Sequence, residues 1–146
     1  MICPCQNLQA NPVNYEKCCK PYHDGLIAKK AEALMRSRFS AYVLGLCEYL
    51  KKTWHISTCP QPLELEPDSQ WIKLDIISVS NKQVHFKAYF KEDSEFKYLE
   101  ESSNFIQQDN KLVYLDGKTK VGTAHQNRND FCLCGSGKKY KKCCAQ

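Results

Sequence analysis

Apolar residues recur at gaps of three and four through Ala31, Leu34, Met35, Phe39, Tyr42, Val43, Leu46, Tyr49 and Leu50, the spacing of one helical face. The pattern predicts an amphipathic helix of several turns between Ala28 and Lys52. Gly45 is its weak point, since glycine inside a helix costs about 1 kcal/mol against alanine. Pro60, Pro62 and Pro67 then break regular structure, so residues 56–68 read as loop. After Trp71 the period changes to two. Ile72, Leu74 and Ile76 alternate with Lys73 and Asp75, and Val84, Phe86, Ala88 and Phe90 alternate with His85, Lys87, Tyr89 and Lys91. Further runs cover Phe96 to Ile106 and Leu112 to Leu115, separated by the turn formers Ser80-Asn81-Lys82, Glu92-Asp93-Ser94 and Asp109-Asn110. Four strands joined this way form an antiparallel meander with one apolar face, and the helix is its cover. The predicted class is α+β, a helix packed on a curved antiparallel sheet.

The ends of the chain follow a different logic. Eight of the ten cysteines fall in two clusters, Cys3, Cys5, Cys18 and Cys19 at the start and Cys132, Cys134, Cys143 and Cys144 at the finish. Both read C-x-C then C-C. Four thiolates close a tetrahedral site around a soft dication, so a zinc knuckle is the expectation for the C-terminal cluster, with disulfides or free thiols as the alternatives. Gly135 and Gly137 allow a tight turn behind the C-x-C pair. Too short to bury a core, such a segment takes its folding energy from the metal, about 10–16 kcal/mol in small finger peptides. The N-terminal cluster is a candidate second zinc site of degenerate type. Its two pairs are twelve residues apart instead of eight, and Gln6-Asn7 stands in place of the glycine turn. Asn7 is the residue there best suited to a left-handed conformation, and thiols packed against the main domain without metal are the alternative. Cys47 and Cys59 belong to neither cluster and read as structural.

At 146 residues the chain reads as a central domain over residues 28–122 flanked by small appendages at 1–27 and 123–146. Its +5 charge is concentrated at the end, where residues 121–146 carry five basic side chains against Asp130 alone. Four of these, Lys138, Lys139, Lys141 and Lys142, suit an acidic partner. No run is apolar and long enough to span a membrane, and no basic-apolar leader precedes Cys3. A cytoplasmic setting is expected, where clustered cysteines more often hold metal than form disulfides.

The tail, with its flanking Arg128-Asn129-Asp130 and internal Gly135-Ser136-Gly137-Lys138-Lys139-Tyr140, resembles the SEC-C motif, the zinc knuckle named for the end of the bacterial preprotein-translocase ATPase. The whole order resembles the bacterial YchJ-like family, in which SEC-C knuckles flank a domain similar to nuclear transport factor two. The segments that carry this are Pro21-Tyr22-His23-Asp24-Gly25, the helix Ala31–Val43, Thr53-Trp54-His55, Glu101-Ser102-Ser103-Asn104-Phe105 and Leu115-Asp116-Gly117. The resemblance implies a sheet wrapped around a helix to leave a conical cavity. In the translocase the similar knuckle engages the export chaperone and acidic lipid, which implies an export- or translation-related partner here.

Three functional classes follow. The first is a noncatalytic zinc-binding adaptor docking on a protein through Lys138 to Lys142. The second is a small-molecule binder or enzyme using the cone, with Arg36, Tyr42, Trp54, His55, Glu101 and Tyr114 as candidate pocket residues, one arginine of the Arg36/Arg38 pair being a candidate partner of Glu101. The residues form no convincing acid–base dyad, and a perturbed carboxylate in a polar cavity is the mark that would favour this class. The third is nucleic-acid binding through the lysine-rich knuckle, with Tyr140 available for stacking.

Overall fold

The computed structural model describes residues 1–65 and 70–146, so Pro67 and part of the predicted 56–68 loop lie outside the described residues. The predicted long helix is two. α1 is a single turn at Lys20–His23, α2 runs Ala31–Leu44 and α3 runs Cys47–Lys52. Gly45 divides α2 from α3 by turning left-handed (φ 72°, ψ 29°), and the Leu46 amide donates back to the Ala41 carbonyl at 2.9 Å. Lys30 is extended, so Ala28 to Lys30 are not helical.

β1 (Gln70–Val79), β2 (Gln83–Glu92), β3 (Glu95–Gln108) and β4 (Lys111–Thr123) form one antiparallel sheet in sequence order. Two of the hairpins turn on residue pairs with positive φ, Asp93-Ser94 and Asp109-Asn110, which matches the right-handed twist of the strands they join. β4 continues well past the predicted Leu115. Its extension pairs Gly117, Lys118, Thr119 and Lys120 with Ser103, Ser102, Glu101 and Glu100, polar against polar, so no apolar period announces it. Bulges also adjust the faces. Trp71 lies opposite Phe90 and Lys73 opposite Tyr89, leaving Ile72 unpaired. As a result Trp71, not Ile72, shares a face with Leu74 and Ile76.

α2 lies across that face and is buried along most of its length, Ser37, Arg38 and Ser40 included. It is therefore covered on more than one side, and not the amphipathic helix its apolar spacing predicts. The second covering is the N-terminal segment: Cys3, Cys5 and Cys19 belong to the same core as Leu34, Phe39 and Leu74. The Asn7 side-chain amide donates to the Ile72 carbonyl (2.7 Å) and that of Gln9 to the Leu74 carbonyl (2.9 Å), which closes off part of the edge of β1. His23 joins α1 to α2. Its Nε2 donates to the Ser37 carbonyl at 2.8 Å, so Nδ1 accepts from the Tyr15 hydroxyl at 2.6 Å.

Replacing both edge-capping amides, Asn7→Ala with Gln9→Ala, is expected to lower stability by about 1–3 kcal/mol, measured by urea unfolding.

Candidate metal centres and the central cavity

Each cysteine cluster brings its four Sγ atoms within 4.8 Å of one another. In the N-terminal cluster Cys5 lies 3.7 Å from Cys3, 3.5 Å from Cys18 and 3.7 Å from Cys19, and Cys18 lies 4.0 Å from Cys19. In the C-terminal cluster Cys143 lies 3.4 Å from Cys134 and 4.0 Å from Cys144. Sulfurs around a tetrahedral metal with bonds of about 2.3 Å stand about 3.8 Å apart. Both sets fit such an ion.

The two clusters are built alike. Cys3 N–H donates to the Val13 carbonyl and Cys132 N–H to the Lys138 carbonyl, at 2.9 and 2.8 Å. A 3-10 turn delivers each C-C pair, Tyr15–Lys17 before Cys18 and Tyr140–Lys142 before Cys143. Behind the C-x-C pair, Gly135 and Gly137 take positive φ in one cluster, and in the other the left-handed residue is Leu8 (φ 60°). The sequence points to Asn7 for that role, yet Asn7 keeps φ −57° and uses its side chain on β1.

The protonation of the thiols is divided within each cluster. Hydrogen bonds from Cys19 and Cys5 press the Cys3 pKa far down, while bonding to Cys3 and Cys5, with burial, holds Cys19 as a thiol. Hydrogen bonds from Ser136 and Cys143 bring Cys134 down to about 6, and bonding to Cys132 with desolvation pushes Cys144 up to about 12. Crowded sulfurs share their protons because they cannot all ionise together, and a dication removes that obstacle.

The surroundings differ sharply. Ser40 Oγ on α2 accepts the Cys5 amide at 3.2 Å and donates to Cys19 Sγ at 3.3 Å. Arg36, a candidate for the cone, stands by this cluster instead. Burial would lower its pKa, but hydrogen bonding to Glu32 (Nε–Oε2 2.9 Å) and negative charge on Cys5 outweigh that and raise it. A fixed cation beside a thiolate site offsets the net negative charge of four sulfurs around a dication. In the C-terminal cluster Cys134 and Cys144 are exposed, as are Lys138, Lys139 and Lys142, with Lys141 half-buried. Among the described residues none of these four lysines has a carboxylate within 4.0 Å. Cys47 and Cys59 stand apart, their thiols on the Leu63 and Pro60 carbonyls.

Between α2 and the sheet lies a cavity of about 190 Å³. Tyr42, Trp54, Glu101 and Tyr114 line it, and the arginine present is Arg38. His55 does not line it. The His55 amide donates to the Tyr114 carbonyl at 2.7 Å and its Nδ1 is 2.7 Å from Ser57 Oγ, a local turn contact. With Tyr114 N–H donating to the Thr53 carbonyl (2.8 Å), the Thr53–His55 segment adds a short parallel bridge to β4 and fixes Trp54 edge-on to Tyr114. The Tyr114 hydroxyl donates to Glu101 Oε2 at 2.6 Å. Burial pushes the Glu101 pKa up against that bond. Gly117 leaves the room this carboxylate occupies, since a Cβ there would come within 2.7 Å of Glu101 Cδ. His85 is on the opposite face of the sheet, half-buried and 2.6 Å from Glu100.

The model for "YchJ, middle NTF2-like domain" matches residues 30–117, and that for the SEC-C motif matches residues 128–146. The chain belongs to the YchJ family. A UPF0225 protein of Vibrio cholerae serotype O1 is 40% identical over 99% of both chains, and one of Vibrio parahaemolyticus is 37% identical over 97% of both. Among solved structures, a SEC-C motif containing protein of Psychrobacter arcticus is 31% identical with TM-score 0.65, covering 99% of this chain and 96% of its own. A SEC-C motif containing protein of Rhodopseudomonas palustris, 24% identical, shares the fold with TM-score 0.66 over 81% of this chain and 98% of its own.

Within this YchJ-type frame, sequence reasoning missed Ser40, Trp71 and Gly117. A serine on a helix face carries no signal of its own, and Trp71 needed the bulge. Gly117, following Asp116, reads as a turn but sits inside β4.

Two consequences of the Glu101 setting are measurable. A carboxyl whose folded pKa is raised binds more protons in the native state, so its stabilising effect is complete below the unfolded value of 4.5 and is lost as pH rises through the folded value. The unfolding free energy of the wild type in urea is therefore expected to fall across that window, by about 1.4 kcal/mol for each pH unit the window spans, and Glu101→Gln to flatten the fall. Gly117→Ala, which drives a methyl into the carboxylate, is expected to cost about 1–3 kcal/mol in the same measurement.

Proposed function

We propose that this protein is a noncatalytic zinc-binding adaptor that works in the cytoplasm, with two structural zinc sites of unequal role. Zinc is the ion because four thiolates at tetrahedral spacing suit a soft, redox-inert dication. The N-terminal site braces the core from inside. The C-terminal site displays a lysine face to an acidic surface on a partner protein.

The difference in exposure carries this reading. Three of the four N-terminal cysteines are buried with the core, so whatever metal they hold is out of a partner's reach. The C-terminal pair Cys134 and Cys144 and three of the four lysines face solvent, and among the described residues no carboxylate pairs with those lysines. Charge of this kind speeds and orients encounter with an acidic partner, and its effect weakens with salt.

Metal analysis of protein purified without added zinc should give two zincs per chain. Cys18→Ser should lose one and lower the main unfolding transition, while Cys143→Ser should lose the other and leave that transition nearly in place. Absence of zinc from the wild type would overturn the assignment. For the partner, a column carrying the wild-type chain should retain a protein that elutes as salt rises and survives nuclease treatment. The Lys138→Glu, Lys139→Glu, Lys141→Glu, Lys142→Glu variant should keep both zincs and lose that protein, and retention by this variant would rule out the lysine face as the docking surface.

A further inference from the structure

Arg38 is 3% exposed, and among the described residues no carboxylate oxygen lies within 4.0 Å of its guanidinium. Its contacts are neutral. Nη1 donates to the Leu50 carbonyl at 2.9 Å and to Thr53 Oγ1 at 2.7 Å, and the guanidinium carbon sits 4.8 Å from the Trp54 ring centroid and 4.9 Å from that of Tyr114. Aromatic faces attract a cation, but they do not replace a counter-charge for a guanidinium this deeply buried. The acid on the same cavity, Glu101, accepts from Tyr114 and is drawn by burial toward its neutral form. A second donor is also unmet: among the described residues Trp54 Nε1 is buried without a hydrogen-bond partner. Buried polar groups left in this state call for an explanation.

Arg38 and Trp54 both line the central cavity, whose remaining walls include Met35, Phe39, Trp71, Phe86 and Leu99. The size is informative. An apolar cavity of about 150 Å³ accepts benzene, and this one, at about 190 Å³, has room for a ring with a small substituent. A cation beside flat apolar walls is complementary to an anionic head on a flat apolar body.

We propose that the cone binds a small monocarboxylate with a single-ring apolar body, its carboxylate held by Arg38. The ligand supplies the paired counter-charge that Arg38 lacks among the described residues. This site is separate from the zinc centres and from the lysine face, so it stands whether or not the adaptor reading does.

The chain has two tryptophans, Trp54 and Trp71, and both line the cavity, so intrinsic fluorescence reports from the site itself. The full chain, as purified with its metal, is titrated with benzoate and with benzamide, which has nearly the same shape and no charge. Benzoate is expected to give a saturable change with a Kd of about 1 mM or below, and benzamide to bind at least about tenfold more weakly. Ala88→Leu, which adds bulk to the wall, is expected to weaken benzoate by at least about tenfold while the far-ultraviolet spectrum stays unchanged. Arg38→Met is expected to abolish the preference for benzoate over benzamide. If that variant does not fold, the benzoate–benzamide comparison and Ala88→Leu decide alone. No saturable response to benzoate up to about 10 mM, equal binding of benzamide, or undiminished binding by Ala88→Leu would each overturn the proposal.

Discussion

α2 has to bury polar side chains on two sides at once, and the rest of the molecule is arranged around that constraint. Ser40 faces the N-terminal cysteines, where its hydroxyl accepts the Cys5 amide and donates to Cys19. Ser37 lends its carbonyl to His23 and its hydroxyl to Tyr49. On the cavity side, Arg38 lies between Trp54 and Tyr114. Buried polar atoms are nearly always partnered, so each of these residues calls for a neighbour to meet it. The N-terminal segment meets one side, and the Thr53–His55 bridge to β4 meets the other.

The two cysteine clusters show how one local design serves two ends. The same backbone hydrogen bonds and the same 3-10 turn place both C-C pairs, yet one cluster is enclosed by α2 and β1 while the other stands largely in water. The longer N-terminal loop accounts for the contrast. Its extra residues include Gln9, which with Asn7 reaches the edge carbonyls of β1, and the shorter C-terminal loop has no counterpart. Where the second cluster relies on glycines for its tight turn, the first takes Leu8 through the left-handed region, a conformation that surrounding packing has to hold in place.

Much of this is legible in the sequence. The cysteine spacing, the strand periods and the Asp109-Asn110 turn each translate directly into what the chain forms. The positions that resist are those whose role is set by a neighbour far away in sequence. Arg36 and Arg38 look equivalent on paper, and only the N-terminal segment packed against α2 decides that Arg36 attends a cysteine and Arg38 the cavity. Ile72 reads as inward until the bulge hands its place to Trp71. The stretch of β4 from Lys118 to Lys120 reads as loop because it and its partners Ser102, Glu101 and Glu100 are all polar. Glu101, by contrast, stands out in the sequence, but the reason it can be buried lies across the sheet at Gly117.

The enclosure of the first cluster has a consequence for synthesis. Cys3, Cys5, Cys18 and Cys19 leave the ribosome before α2 and β1, so during translation these thiols are open to solvent for as long as their cover takes to appear. Domains fold as units when enough chain has emerged, and here the unit cannot close over its first residues until β1, whose ladder waits on β2, has been made. The C-terminal cluster has no such wait, because its ligands and its turns lie within one short segment at the end. The nascent chain thus exposes its thiols first at the site that will later be sealed, and last at the site that will stay open.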